Sequence, residues 1–272
     1  MDCRYSKSLF LFGDTNGNIS ISGCCILPSA ASMTIEEFNA ISLEDLNKLR
    51  SKQFDMSKRK GNFYCNQPCV FHNSLEEVVI NALLFCNINC YNCIVQHKSP
   101  KPNIMPLKVL MEKTLKFRGL KRILMDGSGE IFIVFNLVTE YLKKLNPEIT
   151  ETVMFTTNMT LLSLEKIKIL KDISEKTGVR YEFNASIDGI SKETFEATRI
   201  GAKYEDVFFN LNNIKKEFKT MVSYTVKKPN FSENLDDVKN YFNNMGLYVA
   251  FTSDGLDIEA QQRLKDYNKY NN

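Results

Sequence analysis

From Val78 onward, short runs rich in β-branched and aromatic residues alternate with segments whose apolar positions recur every three or four residues. This alternation restricts the fold more than any other feature, because strands separated by amphipathic helices read as repeated βα units and hence as a parallel sheet. Six strands are predicted: Val78–Phe85, Arg122–Asp126, Thr152–Thr157, Arg180–Asp188, Thr220–Val226 and Leu247–Phe251. Between them, Val134, Leu137, Val138, Tyr141, Leu142 and Leu145 form one helical stripe with Pro147 beyond its end, and Val207, Leu211, Ile214 and Phe218 form another. Asn230, three residues before Glu233, predicts a capping box that opens a helix with Leu235, Val238, Tyr241 and Phe242 inward. A mostly polar surface helix is predicted from Asp257 to about Tyr267. A closed eight-stranded barrel typically takes about 250 residues. The segment from Val78 to the C-terminus is shorter and supplies six strands, so the expectation is an α/β fold built as an open, three-quarter, six-stranded βα barrel. Its lateral opening leaves room for a large substrate, and its active site is expected at the C-terminal strand ends.

Composition narrows the class. With 272 residues, 43% hydrophobic and 25% charged, the chain is not a disordered one. A net charge of +3 does not suggest a nucleic-acid partner. The one basic run, Lys58–Lys60, reads as a solvated loop. No membrane span is expected, since the longest apolar stretch, Val78–Cys86, is short and interrupted by Asn81. The N-terminal apolar run, Leu9–Phe12, is too short for an export signal, so a cytoplasmic protein is expected. Its eight cysteines then read as reduced thiols or metal ligands, because disulfide frameworks belong to short secreted chains.

All eight cysteines lie at or before position 93. They divide the chain into an N-terminal cysteine-containing extension, 1–76, and the barrel, 77–272. At the first strand end stand Cys86, Cys90 and Cys93 on a polar loop. A 4Fe–4S cube normally takes four cysteines, so three would leave one iron open to a small molecule. Zinc held by the same three plus a remote ligand such as His97 is the alternative. After the second strand comes Asp126-Gly127-Ser128-Gly129-Glu130, after the third Thr156-Thr157-Asn158, and after the fourth Ser186-Ile187-Asp188-Gly189, followed by Arg199-Ile200-Gly201.

In order and strand position these motifs resemble the radical SAM superfamily, over about Val78–Phe251. The resemblance implies a 4Fe–4S cluster on Cys86, Cys90 and Cys93 that binds S-adenosyl-L-methionine. It implies that Gly127, Ser128, Gly129 and Glu130 receive the cofactor's ammonium group. Ser186 and Arg199 would hold its carboxylate and ribose, with Asn158 and Asp188 nearby, and Val249 and Ala250 would lie near its adenine. Two positions depart from the pattern: Asn92 replaces an aromatic residue before the third cysteine, and Ile131 replaces a proline after Glu130. The implied activity is that of an oxidoreductase-type enzyme: reductive cleavage of S-adenosylmethionine to a 5′-deoxyadenosyl radical, which abstracts hydrogen from a substrate. No catalytic side chain is assigned, since the cofactor carries the chemistry. An electron donor such as flavodoxin or ferredoxin is implied as partner.

Gly23-Cys24-Cys25, a helical stretch through Leu49 and Cys65-x-x-x-Cys69 make a unit too small for a sizeable core of its own. Its pattern resembles part of a SPASM or twitch extension, here preceding the barrel, and this favours a peptide or protein substrate. A sugar or nucleoside dehydrogenase or mutase is the runner-up, and a zinc- or Fe–S-binding module without enzymatic activity is the contrasting reading. The resemblance implies an auxiliary Fe–S cluster on Cys24, Cys65 and Cys69, with Cys3 a fourth candidate. Zinc and ordinary buried thiols are the other two readings of these residues.

Overall fold

The computed structural model describes residues 7–14, 16–22, 31–60, 74–93, 101–102, 104–125, 128–253 and 257–271. In chain order the elements are β1 (Ser8–Gly13), β2 (Ile19–Ser22), β3 (Ala31–Met33), α1 (Ile35–Ala40), α2 (Leu43–Lys60), β4 (Glu77–Asn81), β5 (Asn89–Cys90), α3 (Ile104–Thr114), β6 (Leu120–Met125), α4 (Phe135–Leu142) and β7 (Thr150–Thr157). There follow α5 (Leu164–Thr177), β8 (Arg180–Ser186), α6 (Lys192–Thr198), β9 (Arg199–Ile200), α7 (Tyr204–Glu217), β10 (Lys219–Val226), α8 (Leu235–Asn244), β11 (Tyr248–Ser253) and α9 (Ile258–Asn271).

All six expected strands form. They are β4, β6, β7, β8, β10 and β11, adjacent in chain order and parallel throughout. This is the mostly parallel α/β sheet of a partial barrel. The two-residue strands β5 and β9 form a separate antiparallel ladder. The first strand is shorter than expected: β4 ends at Asn81, and the chain from Ala82 to Cys86 runs irregularly, with Leu84 in the left-handed region at φ 51°.

The N-terminal segment is joined to the same sheet. β1 lies parallel to β4, with Leu9 opposite Val78 and Leu11 opposite Ile80, and β2 and β3 follow antiparallel. Among the described residues the sheet therefore has nine strands. Leu9, Leu11, Ile19, Ile21, Phe38 and Leu46 are buried in the same core as the barrel residues. Among the described residues the segment has no separate core: its apolar residues are covered because they extend the barrel's. Lys113 on α3 adds a polar tie, its buried Nζ donating to the Phe38, Asn39 and Ile41 carbonyls at 3.0, 3.3 and 2.6 Å. Those are the carbonyls that a helix end leaves without partners. Cys3, Cys24, Cys25, Cys65, Cys69 and His97 lie outside the described residues.

Two local expectations are also corrected. Lys58–Lys60 ends α2 rather than forming a loop. The helix α8 is capped by Asn234, whose Oδ1 accepts from the Asp236 amide at 2.8 Å, while Asn230 closes a one-turn 3-10 helix over Lys228–Asn230. Pro229 in that turn lacks an amide and fixes the tight geometry.

Side chains alternate across each strand and so define two faces. On the helix side, Phe155 and Phe183 pack at a ring separation of 5.3 Å and meet Phe132 and Phe218. Each fully buried ring contributes about 1.5–3 kcal/mol. The opposite, inner face carries ion pairs near the strand starts, Arg122–Glu77 and Lys219–Glu182. Near the strand ends it carries neutral polar side chains: Asn81, Thr156, Asn184, Ser186 and Ser223, all half-buried. Thr156 and Asn184 are in register across β7 and β8, and Ser186 and Ser223 across β8 and β10, so these polar positions adjoin across three strands.

Candidate active site

The thiol loop leaves β4 and is held from three directions. Cys90 in β5 is paired with Arg199 in β9 by the short antiparallel ladder, and the Tyr91 amide donates to the Thr198 carbonyl at 2.9 Å. The chain then turns through Asn92 at φ 52°, with the Cys93 amide donating to the Cys90 carbonyl. Asn is among the few residues that adopt this conformation readily, which accounts for its place before the third cysteine. Asn158, just past β7, donates from Nδ2 to Cys86 Sγ at 3.5 Å and to Asn87 Oδ1 at 3.0 Å. Cys86 and Cys93 carry free thiols. Burial pushes the Cys86 and Cys90 thiols up, while Arg199 and Lys227 act on Cys90 in the opposite sense.

The glycine turn docks on the residue preceding Cys86. Gly129 has φ 145°, and a Cβ there would sit 2.3 Å from the Phe85 carbonyl oxygen. Only glycine permits that approach, and it lets the Glu130 amide donate to the Phe85 carbonyl at 2.9 Å. The Glu130 carboxylate is fully buried and accepts from the Phe132 amide, the Thr157 hydroxyl and the Asn158 amide at 2.7–3.1 Å. Burial pushes its carboxyl up, against those donors. Its geometry is that of a clamp between the glycine turn and the end of β7. Ser128 Oγ is buried and without a partner among the described residues, and Gly127 lies outside them.

Past β8, Gly189 again allows close approach, since a Cβ would lie 2.4 Å from the Phe195 amide nitrogen of α6. The Asp188 carboxylate beside it accepts from the Thr225 amide at 2.8 Å and pairs with Arg199 Nη2 at 2.9 Å and Lys227 Nζ at 3.1 Å. Burial alone would push this carboxyl up, but the two cations and the Thr225 amide hold it below the usual carboxylate range. Arg199 Nη1 reaches Cys90 Sγ at 3.8 Å, and Arg199 Nε has no partner among the described residues. Glu233 accepts from the Ile190 and Ser191 amides and from the Tyr224 hydroxyl, fixing the start of α6 and hence the approach of Arg199.

The expected site residues Cys86, Cys90, Cys93, Gly129, Glu130, Asn158, Asp188 and Arg199 are thus linked into one network at the C-terminal strand ends. Ser186 lies on the inner face beside Ser223. Of the two β11 residues, Ala250 shares that face, while Val249 is buried opposite Val222 on the helix side. The sequence reading missed Lys227. It immediately follows β10, the position at which a functional residue is expected in such folds, and that was the available signal.

The residues fit a cluster and its small-molecule ligand. Three thiols are presented on one loop, Arg199 holds an unpartnered buried N–H beside them, and Gly129 keeps the adjoining turn open to close approach. Among the described residues, no three His, Cys, Asp or Glu side chains converge on a point suited to a single metal ion. The thiolates of an iron–sulfur cube bind separate irons, so a cube does not require such convergence.

The family model for the radical SAM superfamily matches residues 80–242, more than half of the chain. The chain belongs to this superfamily, and it is an enzyme of the class that works with S-adenosylmethionine and a 4Fe–4S cluster, a reductant and a substrate. Among solved structures it is similar to SuiB of Streptococcus suis bound to S-adenosylmethionine, at 13% identity and a TM-score of 0.45, covering 91% of this chain and 70% of that one. No curated protein matches the chain. Among the described residues no helix is long and apolar enough to cross a membrane.

Proposed function

We propose that Cys86, Cys90 and Cys93 hold the 4Fe–4S cluster, and that the enzyme abstracts hydrogen from a peptide or protein substrate. When bound, the cluster and S-adenosylmethionine supply a 5′-deoxyadenosyl radical that removes hydrogen from an unactivated carbon. The chain's own residues bind, orient and exclude water. Asn158 and Arg199 set the positions of the Cys86 and Cys90 sulfurs. Ser128 Oγ and the Gly129 turn receive the cofactor's ammonium end, with Glu130 holding that turn in place, and Arg199 Nε and Ser186 receive its carboxylate and ribose. Asp188 restrains Arg199 from below. Excluding water at this end of the sheet protects the reactive species from side reactions.

The observation that carries this reading is the convergence of the thiol loop, the glycine turn and Arg199 through direct contacts. The resemblance of the N-terminal cysteines to a SPASM extension supports the peptide substrate and an auxiliary Fe–S cluster on Cys24, Cys65 and Cys69. We divide the chain at 76/77 in that sense, by role rather than by core, and place the protein in the cytoplasm with flavodoxin or ferredoxin as reductant.

One observation favours a second reading, dehydrogenation or rearrangement of a sugar or nucleoside: the neutral hydroxyls and amides of Thr156, Asn184, Ser186 and Ser223 suit a hydroxyl-rich ligand. Anaerobic incubation with dithionite and S-adenosylmethionine is expected to yield 5′-deoxyadenosine from wild type and none from a Cys86→Ala, Cys90→Ala, Cys93→Ala variant. Equal product from both would overturn the assignment. Mass change in a co-expressed peptide against change in a sugar nucleotide separates the two substrates.

A further inference from the structure

Asp188, Arg199 and Lys227 are each nine-tenths buried or more, at 0%, 9% and 7% exposure. One carboxylate lies between two cations, so neither cation has a carboxylate to itself within this trio. Burying charge is costly unless it is compensated. Neutral groups also meet it: the Thr225 amide donates to Asp188, and Asn230 Oδ1 accepts from the Lys227 backbone amide. Arg199 Nη1 also reaches Cys90 Sγ, at 3.8 Å. Two further buried carboxylates face the site: Glu130, which interacts with Arg199 and Cys86 and accepts from Phe132, Thr157 and Asn158, and Glu233, which accepts from Ile190, Ser191 and Tyr224.

Resting on the cluster assignment above, we propose that Lys227 is a positioning residue whose charge, relayed through Asp188 and Arg199 to the Cys90 sulfur, sets the reduction potential of the cluster. Lys227 acts by way of its carboxylate partner, Asp188. It shares Asp188 with Arg199, so that neither cation is fully neutralised and the Arg199 guanidinium presents net charge to sulfur. Reduction adds one electron to a centre already made anionic by its thiolates, and a fixed cation close by in a poorly screened interior favours the reduced form. Asp188 acts in the opposite sense, and the balance of the three sets the poise. The consequence is specific to charge: removing Lys227 and removing the charge of Asp188 must move the potential in opposite directions.

The test is a redox titration, followed by electron paramagnetic resonance, of reconstituted wild type, Lys227→Met, Lys227→Arg and Asp188→Asn. The expected midpoints are more negative than wild type for Lys227→Met, less negative for Asp188→Asn, and at the wild-type value for Lys227→Arg. A Lys227→Met midpoint equal to wild type, or a shift of both charge-removing variants in one direction, would overturn the proposal. If Lys227→Met fails to retain iron, Asp188→Asn decides, because its Oδ1 still accepts from Thr225; an unchanged or more negative midpoint overturns the idea. A wild-type protein with no reducible cluster signal would overturn the cluster assignment itself. That result differs from a wild-type cluster whose midpoint ignores these charges.

Discussion

Gly129 and the Phe85 carbonyl approach so closely that no side chain fits between them, and the next amide, Glu130, donates to that same carbonyl. This contact fastens the glycine turn to the start of the thiol loop. Gly129→Ala must move backbone on one side or the other. The left-handed φ and the clash each cost about 1–3 kcal/mol. Thermal unfolding should show a lower midpoint, and iron content after reconstitution should fall with it. A variant with wild-type stability and full iron would mean that the turn is free to move.

Glu130 offers a second test, because its carboxylate is surrounded by donors. Glu130→Gln replaces one acceptor oxygen with an NH2 group facing the Phe132 amide or the Asn158 amide. One buried donor is left without an acceptor, which costs about 1–3 kcal/mol. If Glu130 acts as a clamp, Glu130→Gln lowers stability while the KM for S-adenosylmethionine stays near wild type. A large rise in KM without loss of stability would place the carboxylate on the cofactor's ammonium instead.

How much of this was legible follows from the range of each signal. β6, β7, β8, β10 and β11 match their sequence expectations within two residues at nearly every end, because alternation and helical periodicity are local. β1 escaped because Leu9–Phe12 looks like a fragment of a leader, and its pairing with β4 spans about seventy residues. The ladder of β5 with β9 has no periodicity to read, since each strand has two residues. Cys90 and Arg199 meet across 109 positions, and only resemblance brought them together in the sequence. Lys227 was hidden in a basic dipeptide that composition treats as surface, yet the fold buries it against Asp188. Asn230 was read as a helix cap because the spacing to Glu233 is right. Both residues instead hold the Asp188–Ser191 loop, Asn230 through the Asp188 carbonyl and Glu233 through the Ile190 and Ser191 amides.

The proposed auxiliary cluster has a stoichiometric consequence. With two 4Fe–4S clusters the reconstituted enzyme should bind about eight irons per chain, and a Cys65→Ala, Cys69→Ala variant about half of that. Iron and acid-labile sulfide quantification reads this directly. An unchanged iron count in the variant would remove the auxiliary cluster and leave Cys65 and Cys69 as thiols or zinc ligands.

Deletion of residues 1–76 tests whether the barrel stands alone. The deletion removes β1 and so opens the whole edge of β4, where Val78 and Ile80 now face Leu9 and Leu11. It also takes away Ile19, Ile21, Phe38 and Leu46 from the core and strips Lys113 of its three carbonyl partners. An exposed apolar strand edge is a template for association with other chains. Losing six buried apolar side chains, at about 1.5–3 kcal/mol each, removes an amount comparable to the whole net stability of a typical domain. The 77–272 fragment is therefore expected to be insoluble or aggregated, as read by size-exclusion chromatography. A monomeric fragment with cooperative unfolding would establish 77–272 as an independent folding unit, with β1–β3 merely leaning on its edge.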